Sequence, residues 1–223
     1  MKISCVIPVY NEEKWITGVL ETVKQSLIIN EIIVVNDGST DGTKNVLSKF
    51  DDIRVINLKK NIGKGGAMQA GIMVSQGEVI LFLDADLKGL TSKHIESLAM
   101  PVVKGETDMT LSYRDNSGEP FFKIDIFSGE RALRKETLEK IKGLKKAEYA
   151  AEAMINKYIL ENGLRWKSIR CKGLKFVQKE EKRGNKILGA LELYKMYWKI
   201  SRKVPGIIKM WWRMGRGKNN LLT

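Results

Sequence analysis

Through its first 113 residues the chain alternates apolar runs of strand length with segments of helical length, and this constrains its fold more than any other feature. The apolar runs stand at 3–9, 31–35, 53–58, 79–83 and 109–113, with helical segments at 12–26, 42–49, 64–76 and 91–103 between them. The runs are apolar almost without interruption, as in strands covered on both faces. The pattern therefore predicts an α/β fold, with βαβ units forming a mostly parallel sheet flanked by helices. Thr91 stands where a hydroxyl caps the helix at 92–103, with His94 three places on. Past residue 113 the rhythm loosens: 114–120 is polar and turn-forming, helices are expected at 130–141 and 147–162, and a basic hairpin at 165–178. A last helix is expected over 186–214, broken by Pro205-Gly206. A chain of 223 residues suffices for one buried core, and it divides into an α/β domain at 1–185 and a basic amphipathic extension at 186–223.

Leu83-Asp84-Ala85-Asp86 closes the fourth apolar run. In an extended chain alternate residues point the same way, so both carboxylates converge at the carboxyl edge of the sheet, where open α/β sheets bind ligands. Two anions so close repel unless a cation or a proton lies between them. Oxygen ligands suit Mg²⁺ or Mn²⁺, ions that also hold substrate phosphates. Alone, such a pair serves equally to cap the following helix. It has company, however. The first run ends in Ile7-Pro8-Val9-Tyr10-Asn11-Glu12, the second in Val35-Asn36-Asp37-Gly38-Ser39, and the third unit supplies Asn61-Ile62-Gly63-Lys64-Gly65-Gly66-Ala67. All four segments fall where strand gives way to helix, so a doubly wound sheet brings them to one rim.

In this order the four motifs resemble those of the family-2 glycosyltransferases of the GT-A fold, over about residues 2–165. The likeness is greatest to small soluble members near the polyprenyl-phosphate mannosyl- or glucosyltransferases and the glucosyl-phosphoglycerate synthases. It implies transfer of a sugar from a UDP- or GDP-linked donor, with Mg²⁺ or Mn²⁺ held by Asp86 and Asp84. By the same likeness Pro8, Tyr10 and Glu12 line the base and ribose pocket, Asp37 hydrogen-bonds the base, and Asp84 lies near the ribose and phosphates. Lys64 falls in the turn placed beside the donor. Its glycine neighbours permit close backbone approach, and its ammonium is a point charge for phosphate. Ser128-Gly129-Glu130-Arg131-Ala132-Leu133-Arg134 resembles the family's loop and helix beneath the acceptor site. Glu148-Tyr149-Ala150-Ala151-Glu152 resembles a segment bearing an acidic residue, aligned with Glu152. Glu148 lies one helical turn earlier on the same face, so either is a candidate base for a hydroxyl acceptor, and either serves as well as a solvated helix charge. The pattern departs at the third metal ligand. Lys88 stands where many relatives place Gln or His, and Phe176 stands where others place His before a run like Lys179-Glu180-Glu181-Lys182. His94, the only histidine, reads as a helix-surface residue.

The net charge of +13 belongs to the end of the chain: residues 1–162 carry 22 Lys/Arg against 23 Asp/Glu, whereas 163–223 carry 17 against 3. There, apolar residues recur at helical spacing, with Lys195, Lys199, Arg202, Lys203, Lys209, Arg213, Arg216 and Lys218 among them and Trp198, Trp211 and Trp212 alongside. Tryptophan beside basic side chains suits a helix lying on an anionic membrane surface. The charge also permits nucleic-acid binding, but no recognised module accompanies it, and rim carboxylates would repel a phosphate backbone. Cys5 and Cys171, without CxxC spacing, argue against a disulfide framework or a thiolate zinc site. The opening apolar run is too short for a secretion signal, and no window approaches the about 18 apolar residues of a membrane span. The expectation is a cytoplasmic, peripherally membrane-bound glycosyltransferase whose acceptor is lipid-linked, such as a polyprenyl phosphate. A small soluble acceptor such as a phosphoglycerate is the alternative, and a nucleotide-sugar-binding regulator without turnover is an alternative of another class.

Overall fold

The computed structural model describes residues 1–113, 128–147 and 150–177, together with positions 202, 204, 206, 214, 221 and 222. Its first half follows the alternation: β1 (Ile3–Val9), α1 (Ile16–Lys24), β2 (Glu31–Asn36), α2 (Thr43–Leu47), β3 (Arg54–Asn57), α3 (Lys64–Val74), β4 (Val79–Phe82), β5 (Leu87–Lys88), α4 (Ser92–Val103) and β6 (Met109–Tyr113). Then come β7 (Arg131–Arg134), α5 (Lys135–Glu139), α6 (Ala151–Glu161), β8 (Trp166–Arg170), β9 (Lys175–Phe176) and β10 (Leu221–Leu222). The main sheet has the order β10-β8-β6-β7-β4-β1-β2-β3. Among the described residues β7 alone runs against the rest, pairing antiparallel with both β4 and β6. β5 and β9 form a separate antiparallel pair.

Strand alternation builds a core on each face of the sheet. Val6, Ile33, Val35, Ile80 and Phe82 pack with α3 and α6, and on the other face Cys5, Ile7, Val34, Leu81 and Leu83 pack with α1 and α4. Helices on both faces explain why the strands read as unbroken apolar runs. Thr91 caps α4 as expected, its hydroxyl accepting from the His94 N–H at 3.3 Å.

Two expectations are corrected. The segment 130–141 is not one helix: Arg131–Arg134 is a strand and only Lys135–Glu139 is helical. With β6 and β4 either side of a gap of one strand width, the Arg-Ala-Leu-Arg run gains ladder hydrogen bonds on both edges, and this tertiary pairing overrides its helical propensity. Nor is 165–178 a hairpin. β8 pairs parallel to β6 and β9 pairs with β5, so the two short strands part company. The segment expected beneath the acceptor site as loop and helix is therefore loop and strand. The helix expected over 186–214 lies outside the described residues, apart from isolated positions. Of these, Val204 and Met214 are buried in the core that contains α3 and α6, and Leu221–Leu222 pairs parallel with β8.

Candidate active site

The carboxyl edge of the sheet is built by loops that hold one another. After β1, Asn11 takes a left-handed backbone (φ 56°), and its Oδ1 accepts from the Thr40 N–H at 2.8 Å. Two residues on, the Glu13 carboxylate accepts from the Gly42 N–H at 2.6 Å. The Glu12 N–H donates to the Thr43 hydroxyl at 2.9 Å, while the Glu12 carbonyl accepts from Trp15 and Ile16 to start α1. These bonds tie the loop after β1 to the loop after β2. Pro8 sits within β1 opposite Val35, and Tyr10 projects from the rim, 43% exposed.

Asp37 ties the second loop to the third. Its side chain is buried, and its two oxygens accept from the Ile62 N–H at 2.8 Å and the Gly63 N–H at 2.9 Å. Burial raises the Asp37 pKa, and these two N–H donors pull partly against that rise. Gly63 has φ 86°, a left-handed conformation that costs glycine little. The turn it makes delivers Lys64 as the first residue of α3. There the Lys64 ammonium lies 2.5 Å from Asp84 Oδ1 and 2.6 Å from Glu152 Oε1.

Both anions are set by β7 and its approach. Phe82 stands opposite Arg131 in the antiparallel ladder, so the chain beyond β4 runs alongside the residues preceding β7. Gly129 consequently lies against Asp84 so closely that a Cβ there would fall 2.5 Å from the carboxylate carbon. Next to it Glu130 is fully buried, one oxygen accepting from the hydroxyls of Ser112 at 2.6 Å and Ser128 at 2.5 Å. Arg131, also fully buried, reaches under α6, donating to the Glu152 carbonyl at 3.3 Å, to Asn156 Oδ1 at 3.0 Å and to the Ser128 carbonyl. Glu152, 5% exposed, opens α6 directly over this guanidinium.

The cluster is anion-rich. Burial pushes the Asp84 carboxyl up to about 6; Lys64 opposes that rise, while Glu130, Asp86 and Glu152 add to it. Lys64 is itself desolvated, but Asp84 and Glu152 outweigh this and hold the ammonium firmly protonated. Asp86 is part of the same field, and its carbonyl accepts from the Val177 N–H at 3.2 Å. Lys88 leans over the Trp15 ring, 4.3 Å from its centre. His94 is half-buried, its Nε2 3.1 Å from the Lys172 carbonyl between α4 and the loop after β8.

Of the residues singled out in the sequence, Lys64, Asp84 and Glu152 meet in one ion-paired cluster, Asp86 adds its charge to the field at Asp84, and Asp37 holds the turn before Lys64, with Pro8 in β1 and Tyr10 and Glu12 on the loop after it. Glu148 lies outside the described residues. The sequence gives no sign of Ser112 or Asn156, and it places Gly129, Glu130 and Arg131 only within a segment beneath the acceptor site, because their contacts depend on the strand β7. A divalent ion fits the donor set: oxygen ligands, and an excess of carboxylate over ammonium around Asp84 and Asp86. Among the described residues no group of three His, Cys, Asp or Glu side chains forms a protein cage. Mg²⁺ and Mn²⁺ take oxygen ligands and usually complete their shells with water and phosphate oxygens.

This doubly wound sheet with an acidic carboxyl rim is a GT-A fold, and comparison with known proteins agrees. The glycosyl transferase family 2 model matches residues 4–164, and the chain belongs to that family. A dolichyl-phosphate beta-glucosyltransferase of Trichomonas vaginalis is 45% identical over 94 residues, covering 36% of this chain and 28% of the relative. A dodecaprenyl-phosphate galacturonate synthase of Rhizobium johnstonii is 31% identical over 131 residues, covering 55% of this chain and 38% of the relative. The match thus spans well under half the length of either protein. Among solved structures, glucosyl-3-phosphoglycerate synthase from Mycobacterium tuberculosis, in complex with Mn²⁺, uridine diphosphate and glucosyl-3-phosphoglycerate, superposes with a TM-score of 0.73. It is 22% identical, with 94% of this chain and 80% of that one covered, and the likeness is one of fold.

Proposed function

We propose that this protein transfers a sugar from a nucleotide diphosphate to the phosphate of a polyprenyl-phosphate lipid. The observation that carries the reading is the Lys64–Asp84–Glu152 array, built where three strand-to-helix loops and the start of β7 meet. Such a site is suited to a diphosphate. The N-terminus of α3 presents backbone N–H groups and a favourable dipole, Lys64 adds an ammonium on a flexible stem, and the Asp84–Asp86 pair lies at the same edge. Pro8 in β1, Tyr10 and Glu12 on the loop after it, and Asp37 on the loop after β2 take the base and ribose. Asp86, with Asp84, holds Mg²⁺ or Mn²⁺, which when bound neutralises the diphosphate and stabilises it as leaving group.

Glu152 bears on the choice of acceptor. Its carboxylate is buried and paired with Lys64, which suits a positioning residue better than a base poised to take a proton. A lipid phosphate is already ionised near pH 7 and requires no base, and the relatives in Trichomonas and Rhizobium are named for lipid phosphates as well. A hydroxyl acceptor would need the base. Substitution Glu152→Gln separates the two. Product formation with a nucleotide sugar and polyprenyl phosphate should fall by no more than about tenfold, whereas a general-base role predicts losses of about 10²–10⁴. A glycosylated phosphoglycerate as the sole product of the wild-type enzyme would overturn the lipid reading.

A further inference from the structure

The Lys64 ammonium sits where positive charge from a metal would be felt most. It bridges Asp84 and Glu152, and Asp86 and Glu130 crowd the same carboxylate. The anions around it are fixed by the fold. Gly129 lies against the Asp84 carboxylate, Arg131 holds the backbone of Glu152, and two hydroxyls hold Glu130. The backbone of Lys64 is fixed too, since Asp37 grips the two N–H groups just before it. What remains adjustable is the four-carbon stem of the lysine, whose side chain is 25% exposed.

We infer that Lys64 is a built-in counter-ion that makes divalent-metal binding conditional on the nucleotide diphosphate. This rests on the proposed nucleotide-sugar site. With the site empty of nucleotide, the ammonium neutralises Asp84 and Glu152 and repels a second cation at Asp84–Asp86. An arriving diphosphate offers the ammonium other oxygens within reach of its stem, and the released carboxylate charge becomes available to the metal. Metal and donor therefore load together, and the metal-loaded, donor-free state is disfavoured.

Calorimetric titration of Mn²⁺ into the nucleotide-free full chain tests this with binding as the readout. Lys64→Met should bind Mn²⁺ about tenfold or more tightly than wild type, the scale on which one neighbouring charge shifts a coupled equilibrium. With UDP or GDP present, that advantage should vanish. Equal or weaker nucleotide-free binding by Lys64→Met overturns the inference. Should the variant not fold, the Lys64 Nζ resonance of wild type decides. It should move on addition of Mg²⁺ with the nucleotide and stay in place with Mg²⁺ alone, and a shift produced by Mg²⁺ alone contradicts the inference. If wild type binds neither UDP nor GDP with Mn²⁺, the nucleotide-sugar reading itself fails. If it binds one of them while the nucleotide-free Lys64→Met titration is unchanged, only the counter-ion role fails.

Discussion

A lysine as the first residue of a helix opposes the macrodipole and would ordinarily cost stability there. Lys64 tolerates the position because Asp84 and Glu152 meet its ammonium directly, and the pair of contacts makes the residue the hub of the site. Gly129 matters for a different reason. Any side chain at 129 would intrude on the Asp84 carboxylate, so Gly129→Ala should force that carboxylate to move. Thermal melts should show an overpacking cost of about 1–3 kcal/mol. Affinity for the nucleotide sugar should fall by more than that destabilisation accounts for. A variant that melts lower yet binds donor as wild type does would mean that the position of Asp84 is not what the site depends on.

At the level of elements, Asp37 is the clasp between the loop after β2 and the start of α3. An Asn there keeps only one acceptor oxygen and sets its amide against a backbone N–H, so Asp37→Asn should cost about 1–3 kcal/mol in urea unfolding. Donor affinity should drop with it, because the same bonds aim Lys64 and the same carboxylate is proposed to take the base; unchanged binding would show that the site depends on neither. The elements that build this clasp were legible in the sequence, since 3–9, 31–35 and 79–83 are long apolar runs and each ends in a polar turn. β7 was not. Arg131–Arg134 is four residues with charges at both ends, and its strand character comes from β4 and β6 rather than from its own pattern. With β7 hidden, the antiparallel register that sets Gly129 on Asp84 and Arg131 beneath Glu152 was hidden also. Asp84, Asp86, Lys64 and Asp37 stood out because a parallel sheet gathers strand-to-helix turns on one edge whatever the details of the later strands.

Over the whole molecule, charge and chemistry are separated along the chain. The balanced part, 1–162, carries the site, and the basic excess lies after it. We propose that the basic residues after 186 hold the protein on an anionic membrane, beside its lipid acceptor. Among the described residues no helix is long and apolar enough to cross one. Replacing Lys195, Lys199, Lys203, Lys209, Arg213 and Arg216 by Gln leaves the core positions Val204 and Met214 intact. At about 1 kcal/mol for each basic residue near the surface, this variant should lose co-flotation with phosphatidylserine-containing vesicles. Undiminished flotation would assign the attachment to another surface. Whether separate turns meet to grip a metal-bound nucleotide diphosphate sugar can be read from calorimetric titration of UDP-glucose and GDP-mannose with and without Mn²⁺, on wild type and Asp86→Asn. At least one donor should bind wild type with Mn²⁺, and Asp86→Asn should weaken this binding by about tenfold or more. Failure of both donors to bind under any condition, or an Asp86→Asn variant that binds as wild type does, would contradict such a grip.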